Sequence, residues 1–583
     1  MIIRSSLPTR LNTALFGAKV LLLQMARSAK DRASRVERFR ADEPTGEEIV
    51  LAESVTPLWT AESGGAERAL TLGKIENLRI AARRLHGVVI PAHRTFSFWR
   101  HVGRATRRAG YVRGRELREG CVVPSIGGGL CQLSNALYDA ALRAGFTIVE
   151  RHAHTAVVAG SLAAAGRDAT VFWNYVDLRF RSAVDVRIEA TLTSESLIVR
   201  FCGSVAAART APSSGDLTAA LDETPGGCAS CGMDACFRHR ELHRVQPRAE
   251  RTAFLVDDYW PEYDAYVNQV ACSGDTLHLP IDGQRFGKAN YEWNTAAFTT
   301  VFESRFHTAL RGYRSRGVAL QGAARQRLLL AWADRMARRF ASQVSYEVTH
   351  LVVMQHLLPA LWRTGVLGGR TYDVLMTGMP VRALEQTLDA AARLHPQSPT
   401  LADFRADPQL FAAEDAALAG ARTIVTPHAA VAAMFGSRAV RLDWALPEAS
   451  PIHRPNPKPA AIVFPGATLG RKGAYEVRSA AIATETTVLL CGPELEGAGF
   501  WDGVSVERHA SFRSAAARAD VVVLPAFVEA QPRWLLLALS LGLRIVASAA
   551  CGLGDLPDTV TIAAGDVDAL CAAVMDQLTS KTL

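Results

Sequence analysis

The sequence predicts a multidomain α/β protein in which an α+β domain and a cysteine-rich knuckle precede two Rossmann-like α/β halves. Three observations point there. From residue 251 onward, apolar strand-like runs alternate with long helical stretches, the rhythm of parallel βαβ units. Residues 204–227 lack any apolar period and are rich in Ala, Ser, Pro and Gly, which is linker composition. Finally, 583 residues with 49% hydrophobic and 21% charged side chains and a mean hydropathy of +0.07 can bury several cores, which excludes a disordered or collagen-like chain.

A formal charge of +8 and a pI near 9.0 suit phosphate-bearing or acidic partners without requiring nucleic acid, and no nucleic-acid module signature is present. Ten cysteines are too few for a disulfide scaffold, so a reducing compartment and a cytoplasmic location are expected.

Residues 1–50 read as a charged helical segment. Its apolar stretch from Thr13 to Ala26 is interrupted by Lys19 and is followed by no small-residue cleavage site, so an amphipathic helix is expected rather than a signal peptide. That leaves peripheral membrane contact open. The other apolar run, Trp534 to Leu553, has Arg544 at its middle and Gly542 as a breaker; a buried helix followed by the strand Arg544–Ser548 explains it better than a membrane span.

Residues 51–203 form the first compact unit. In it, Gly127-Gly-Gly-Leu-Cys131 leads into an amphipathic helix with the apolar stripe Leu130, Leu133, Leu137, Ala141 and Ala144, closed by Gly145. Cys131 therefore sits in a first turn, where free N–H groups and the helix dipole favour a thiolate, and the glycines let another backbone or a ligand come close. The following strand, Phe146 to His154, places His152 and His154 on one face by period-2 alternation. A third element from Gly166 to Phe180 supplies Asp168 at a strand start and Asp177 on the opposite face. Cysteine on a helix, then histidine and aspartate on later strands, is the chain order of papain-type and transglutaminase-type folds. Cys131, His152, His154 and Asp168 are thus the candidate catalytic residues, against the bland alternative of a small residue in tight packing beside a satisfied polar network.

After the 204–227 linker, residues 228–250 carry Cys228-Ala-Ser-Cys231-Gly-Met-Asp-Ala-Cys236-Phe-Arg-His239. Three thiolates and an imidazole at C-x2-C-x4-C-x2-H spacing suit a structural tetrahedral zinc, with an iron–sulfur site or unliganded thiols as alternatives. Residues 251–445 and 446–583 are the two α/β halves, separated near Pro455-Asn-Pro-Lys-Pro459. In the second, Arg471 and Lys472 follow a strand and a glycine-rich turn, an arrangement apt for phosphate although it is not a Walker loop.

Two resemblances follow from these residues. Asn77-Leu-Arg-Ile-Ala-Ala, Thr95-Phe-Ser-Phe-Trp-Arg, Gly110-Tyr, Gly127-Gly-Gly-Leu-Cys-Gln-Leu-Ser-Asn, Glu150-Arg-His-Ala-His, Gly166-Arg-Asp-Ala-Thr-Val and Asp177-Leu-Arg-Phe together resemble the VanW family over about residues 70–203. That resemblance implies a bacterial envelope or glycopeptide-resistance context and no settled activity. The succession Ala419–His428, Phe464–Gly473, Leu490–Pro493, Ala519–Ala526 and Val528–Val546 resembles retaining glycosyltransferases of the GT-B type, which bind nucleotide-sugar donors between two facing Rossmann-like domains. By that resemblance Arg471 and Lys472 would meet the donor diphosphate and Glu529 the transferred sugar. The family's second glutamate, used on the donor ribose, falls on Leu537, which cannot accept hydrogen bonds, so the donor site is incomplete. The leading expectation is a fusion that transfers a glycosyl group to a glycan or cell-envelope precursor. The alternatives are thiol-dependent acyl or amide chemistry at Cys131, or non-enzymatic glycan or nucleotide binding.

Overall fold

The computed structural model describes residues 10–33, 36–42, 48–59, 65–118, 121–154, 161–204, 251–319, 321–449, 460–519 and 521–579. The chain divides into two units. One comprises Met1–Arg251 with Val344–Thr349 and Thr364–Thr371, the other Thr252–Gln343, His350–Arg363 and Tyr372–Leu583.

Unit 1 begins with helix α1 (Arg10–Ala33), which covers only part of the 1–50 segment read as helical, since residues 36–42 are not helical and a strand starts at Glu48. Strand β1 (Glu48–Pro57) and helix α2 (Gly65–Leu85) follow, then β2 (Val89–Ile90), β3 (Thr95–Ser97), α3 (Phe98–Val102), β4 (Arg113–Arg118), β5 (Cys121–Ile126), α4 (Leu130–Arg143), β6 (Thr147–Glu150), β7 (Arg179–Arg181), β8 (Val186–Leu192) and β9 (Ser196–Ser204). An antiparallel sheet of order β1-β9-β8-β2 forms the floor, with a small β3-β7-β6 sheet and a β4-β5 hairpin beside it. The core is built as the pattern dictates. Leu130, Leu133, Leu137 and Ala141 of α4 and Ile75, Leu78 and Ala82 of α2 are buried with Leu197, Val199 and Phe201, the inward residues of β9. Gly145 (φ 70°) ends α4 in the left-handed conformation expected of a C′ glycine.

Two expected strands are shorter than the sequence pattern predicts. The strand after α4 stops at Glu150, and from Gly166 to Phe180 there is only a Phe172–Val176 bridge before β7. Local polar bonds take the place of a ladder there: Ser134 Oγ donates to the Ala169 carbonyl at 2.6 Å, and Asn135 Oδ1 accepts from the Ala169 amide at 2.8 Å.

Unit 2 contains two doubly wound sheets. The first joins β10 (Thr252–Leu255), β11 (Thr276–Leu279), β12 (Thr300–Glu303), β13 (His350–Met354), β14 (Thr371–Leu375), β15 (Thr423–Thr426) and β16 (Ala439–Arg441) in the order β12-β11-β10-β13-β14-β15-β16. The second joins β17 (Ala461–Phe464), β18 (Thr487–Leu490), β19 (Val506–Arg508), β20 (Val521–Leu524), β21 (Arg544–Ser548) and β22 (Thr559–Ile562) in the order β19-β18-β17-β20-β21-β22. Both are the Rossmann order, and the strand sequence reverses between β10 and β13 and between β17 and β20. Strands β17 and β20 are buried at every position, which is why they read as unbroken apolar runs. The run from Trp534 to Leu553 resolves into a helix, Arg533–Ser540, and β21, as its composition indicates. Among the described residues no helix is long and apolar enough to cross a membrane. The linker and Cys228, Cys231, Cys236 and His239 lie outside the described residues. Among those described, no group of three or more His, Cys, Asp or Glu side chains could hold a metal ion.

Candidate functional site

Three of the four residues singled out in unit 1 come together. Cys131 lies one residue into α4, half-buried, with its Sγ 3.7 Å from Thr170 Oγ1 and 3.8 Å from the Val171 carbonyl. Cys131 lies close enough to His154 to act on its charge, and His154 Nδ1 lies 2.5 Å from Asp168 Oδ1. The second Asp168 oxygen accepts from the His154 backbone amide, so carboxylate and imidazole are fixed twice over. Arg151 Nε donates to the Asp168 carbonyl at 2.7 Å, and the grip of Ser134 and Asn135 on Ala169 ties this loop to the helix that carries Cys131. Burial alone would lower the His154 pKa; the Asp168 hydrogen bond, joined by Cys131, raises it to about 10.

His101 gives an internal contrast. It too is buried, but its Nδ1 meets the Ser97 carbonyl at 2.8 Å and its Nε2 accepts from the Phe39 amide at 3.0 Å, and burial, countered by the Ser97 bond, brings it down to about 4. That is a structural histidine, neutral and satisfied.

His152 stands outside the cluster, contrary to the same-face expectation. Because β6 ends at Glu150, the alternation does not carry through Arg151–His154. The His152 side chain is 47% exposed and meets Glu150 at 3.3 Å, while its carbonyl pairs with the Thr170 amide. Asp177 is buried and is consumed by Ser97 Oγ, the Trp99 amide and Arg179. Gly128 serves a backbone approach, since a Cβ on it would lie 2.4 Å from the Gly114 carbonyl oxygen, whereas Gly127 and Gly129 (φ 100°) sit against the Ala105 and Lys74 side chains.

In unit 2, the Lys472 and Glu529 side chains come together, and Arg471 joins them through its backbone while its guanidinium reaches Gln321 Oε1 at 3.3 Å. The 3-10 turn Gly470–Lys472 follows β17, and Glu529 follows β20, so both stand at the carboxyl ends of the strands flanking the second sheet's reversal, where doubly wound folds bind ligands. The Arg471 carbonyl accepts from the amides of Phe527 and Val528 at 2.9 and 3.2 Å, fastening the two loops together. Lys472 Nζ pairs with Glu529 Oε2, whose other oxygen accepts from the Gln531 amide at 3.1 Å. Leu537 is half-buried in the helix Arg533–Ser540. His428, from the loop after β15, donates Nε2–H to the carbonyls of Glu529 and Ala550 at 3.0 and 3.2 Å and accepts from the Val431 amide at Nδ1. Burial lowers its pKa, so it is a neutral, satisfied link between the two sheets.

One cluster has no counterpart in the sequence reading. Asp257 follows β10 and His356 follows β13, the strands flanking the first sheet's reversal. Asp257 takes both oxygens to Arg311 Nη1, at 2.8 and 2.9 Å, and Oδ2 to His356 Nε2 at 3.0 Å. Although burial pushes the Asp257 carboxyl up, His356 and Arg311 hold it below the usual range. The signal that could have found it was a carboxylate pair, Asp257-Asp258, directly after an apolar strand.

Residues 73–202 match the family profile described as "VanW like protein". The chain is 35% identical over 130 residues to the uncharacterized protein YoaR of Bacillus subtilis (strain 168), covering 22% of this chain and 42% of that protein. It is equally 35% identical over 130 residues to the vancomycin B-type resistance protein VanW of Enterococcus faecalis (strain ATCC 700802 / V583), covering 21% and 47%. The chain thus spans less than half the length of these curated relatives. Among solved structures, similarity extends to sucrose-phosphate synthase from Thermosynechococcus elongatus (13% identity, 56% of this chain and 89% of that one, TM-score 0.35). It also extends to Anabaena Alr3699/HepE in complex with UDP and glucose (12%, 57% and 91%, 0.33) and to WaaG, a glycosyltransferase involved in lipopolysaccharide biosynthesis (14%, 56% and 90%, 0.31). The chain therefore carries a VanW-like domain over residues 73–202, and the two Rossmann-like halves rest on its own strand order.

Proposed function

We propose that unit 2 transfers a glycosyl group from a nucleotide sugar to a glycan or cell-envelope precursor. The observation that carries this reading is the Lys472–Glu529 pair, with Arg471 next to Lys472 in sequence, on the two loops at the second sheet's reversal. In such a transfer the bond between the sugar's anomeric carbon and the diphosphate breaks, and negative charge grows on the departing phosphate. Two cations beside that oxygen stabilise it, because interactions aimed at developing charge lower the barrier. Glu529, held by Lys472 and the Gln531 amide, is oriented to accept hydrogen bonds from sugar hydroxyls. The VanW-like domain supports an envelope acceptor, since one relative of that domain is named for vancomycin resistance.

Leu537 withholds a ribose acceptor, so donor binding leans on the phosphates. A thermal-shift screen of nucleotide sugars tests the proposal. A genuine donor at a hundred times its Kd stabilises the folded chain by about 2.7 kcal/mol, and turnover releases the nucleoside diphosphate. If neither nucleotide sugars nor nucleoside diphosphates bind at millimolar concentration, unit 2 is a scaffold and the proposal fails.

A further inference from the structure

We propose that the helix Arg305–Ser315 docks unit 2 on an anionic lipid surface, with Phe306, Leu310 and Tyr313 inserted at the acyl boundary and Arg305, Arg314 and Arg316 on the headgroup phosphates. The proposal goes beyond glycosyl transfer and does not depend on it.

The helix is amphipathic with its faces reversed. At about 100° per residue, Phe306, Ala309, Leu310 and Tyr313 share one side of it, within an arc of about 100°. That side points outward. Phe306 is 75% and Tyr313 72% exposed, more than any other large apolar side chain among the described residues, and no residue of the helix is buried. The opposite side is polar and holds the helix to its own domain. Thr308 Oγ1 donates to the Pro280 carbonyl at 2.9 Å, and Arg311 Nη1 donates to both Asp257 oxygens at 2.8 and 2.9 Å. A surface helix ordinarily turns its apolar stripe to the core. This one is fastened by hydrogen bonds and leaves the stripe to an outside partner with an apolar phase.

Charge identifies that partner. From Arg305 to Arg339 the sequence holds nine arginines against a single acidic residue, Asp334, with no lysine; that excess of +8 equals the formal charge of the whole chain. Arg314 flanks the stripe on one side and Arg305 and Arg316 on the other, each about 80–100° around the helix from Phe306. Arg305 meets Glu303, whereas exposed Arg314 and Arg316 pair with no carboxylate among the described residues. The next helix, Ala323–Ala341, touches this one and adds exposed Arg327, Arg335 and Arg339. An apolar stripe rimmed by arginines fits a bilayer interface, where the acyl boundary takes the stripe and lipid phosphates take the guanidiniums. A second copy of this face would set arginines against arginines. An RNA would use the arginines through its phosphates but leave Ala309 and Leu310 in water.

The test uses the full chain and co-sedimentation with vesicles of phosphatidylglycerol and phosphatidylcholine in equal parts, beside vesicles of phosphatidylcholine alone. The protein should pellet with the anionic vesicles and scarcely with the neutral ones. Raising salt from about 0.1 M to about 1 M should release most of it, because the screening length falls from about 10 Å to about 3 Å. Arg314→Gln combined with Arg316→Gln should weaken vesicle binding about 25-fold, at about fivefold for each cation near an anionic surface. Phe306→Ser combined with Tyr313→Ser should weaken it about tenfold or more, since both rings lose their burial in the bilayer. All four side chains are exposed, so both variants should melt as the wild type does. Hydrogen exchange on the wild type reads the same contact without any substitution: amides of 305–316 should slow when anionic vesicles are added. Absence of binding to anionic vesicles overturns the proposal. Binding that both variants retain, or exchange protection confined to other segments, overturns it as well, because another surface then holds the lipid. Binding of polyuridylate RNA without binding of vesicles would assign the arginines to nucleic acid and also overturn it.

Discussion

Lys472→Ala is the perturbation that separates a phosphate-binding lysine from a lysine that only props up Glu529. In the free protein the two side chains are paired and little exposed, 16% and 9% respectively. Removing the lysine deletes one charge-assisted contact to a diphosphate, about 1.5–3 kcal/mol, which is roughly a 12- to 150-fold rise in Kd. It also leaves the Glu529 carboxylate uncompensated. Glu529→Gln acts the other way: it frees Lys472 from its partner, so diphosphate affinity should hold or improve while transfer of the sugar falls. Calorimetric titration with a nucleoside diphosphate and with the matching nucleoside reads both effects, and the nucleoside alone should scarcely bind. If Lys472→Ala and Glu529→Gln weaken the diphosphate equally, the pair is a structural prop. If Lys472→Ala changes Kd by less than about threefold, too little for a charge-assisted contact, the phosphate role is refuted.

Three further outcomes follow from the same structure. Leu537→Glu should tighten nucleoside diphosphates by about 1 kcal/mol, the net value of a recovered hydrogen bond to ribose, and an unchanged titration would count against the ribose assignment. Arg311→Met leaves the buried Asp257 with His356 as its remaining partner among those described here, and should cost about 3–5 kcal/mol in urea unfolding of unit 2; a loss below about 1 kcal/mol would show the charge is not sealed in. Asp373 is held at about 2: burial pushes it up, but hydrogen bonds from His350 and Arg422 outweigh that. Its stabilising contribution is therefore present above the ordinary value of about 3.9 and is lost as pH falls through about 2. Because the Arg422 side chain is 57% exposed, solvent screening limits this to about 1–2 kcal/mol, and Arg422→Met should move acid unfolding of unit 2 to higher pH.

What the sequence displayed depended on how far apart the cooperating residues lie. Central strands such as β17 and β20 are apolar throughout because both faces are buried, so they announce themselves. Edge strands β16 and β19 are three residues long and partly exposed, and carry no such run. Strand β11 hides behind His278, a buried histidine stacked on Phe302 at 4.6 Å, which breaks the apolar pattern without breaking the strand. In unit 1 the helix start, Cys131 and Asp168 were legible from local spacing, but the choice between His152 and His154 was not, since it turns on where β6 ends.

The Asp257 cluster shows the same limit from the other side. The two sheets share one strand order, so the rule that sets Arg471, Lys472 and Glu529 after β17 and β20 equally sets Asp257 and His356 after β10 and β13. Asp257, however, meets His356 across 99 residues of sequence and Arg311 across 54, and Arg311 comes from the helix Arg305–Ser315, which follows neither strand at the reversal. The reversal point of the sheet, which depends on strand order in space, brings Asp257 and His356 together, and the helix that follows edge strand β12 adds Arg311. A strand-end carboxylate pair such as Asp257-Asp258 therefore becomes a site candidate only once that order is known.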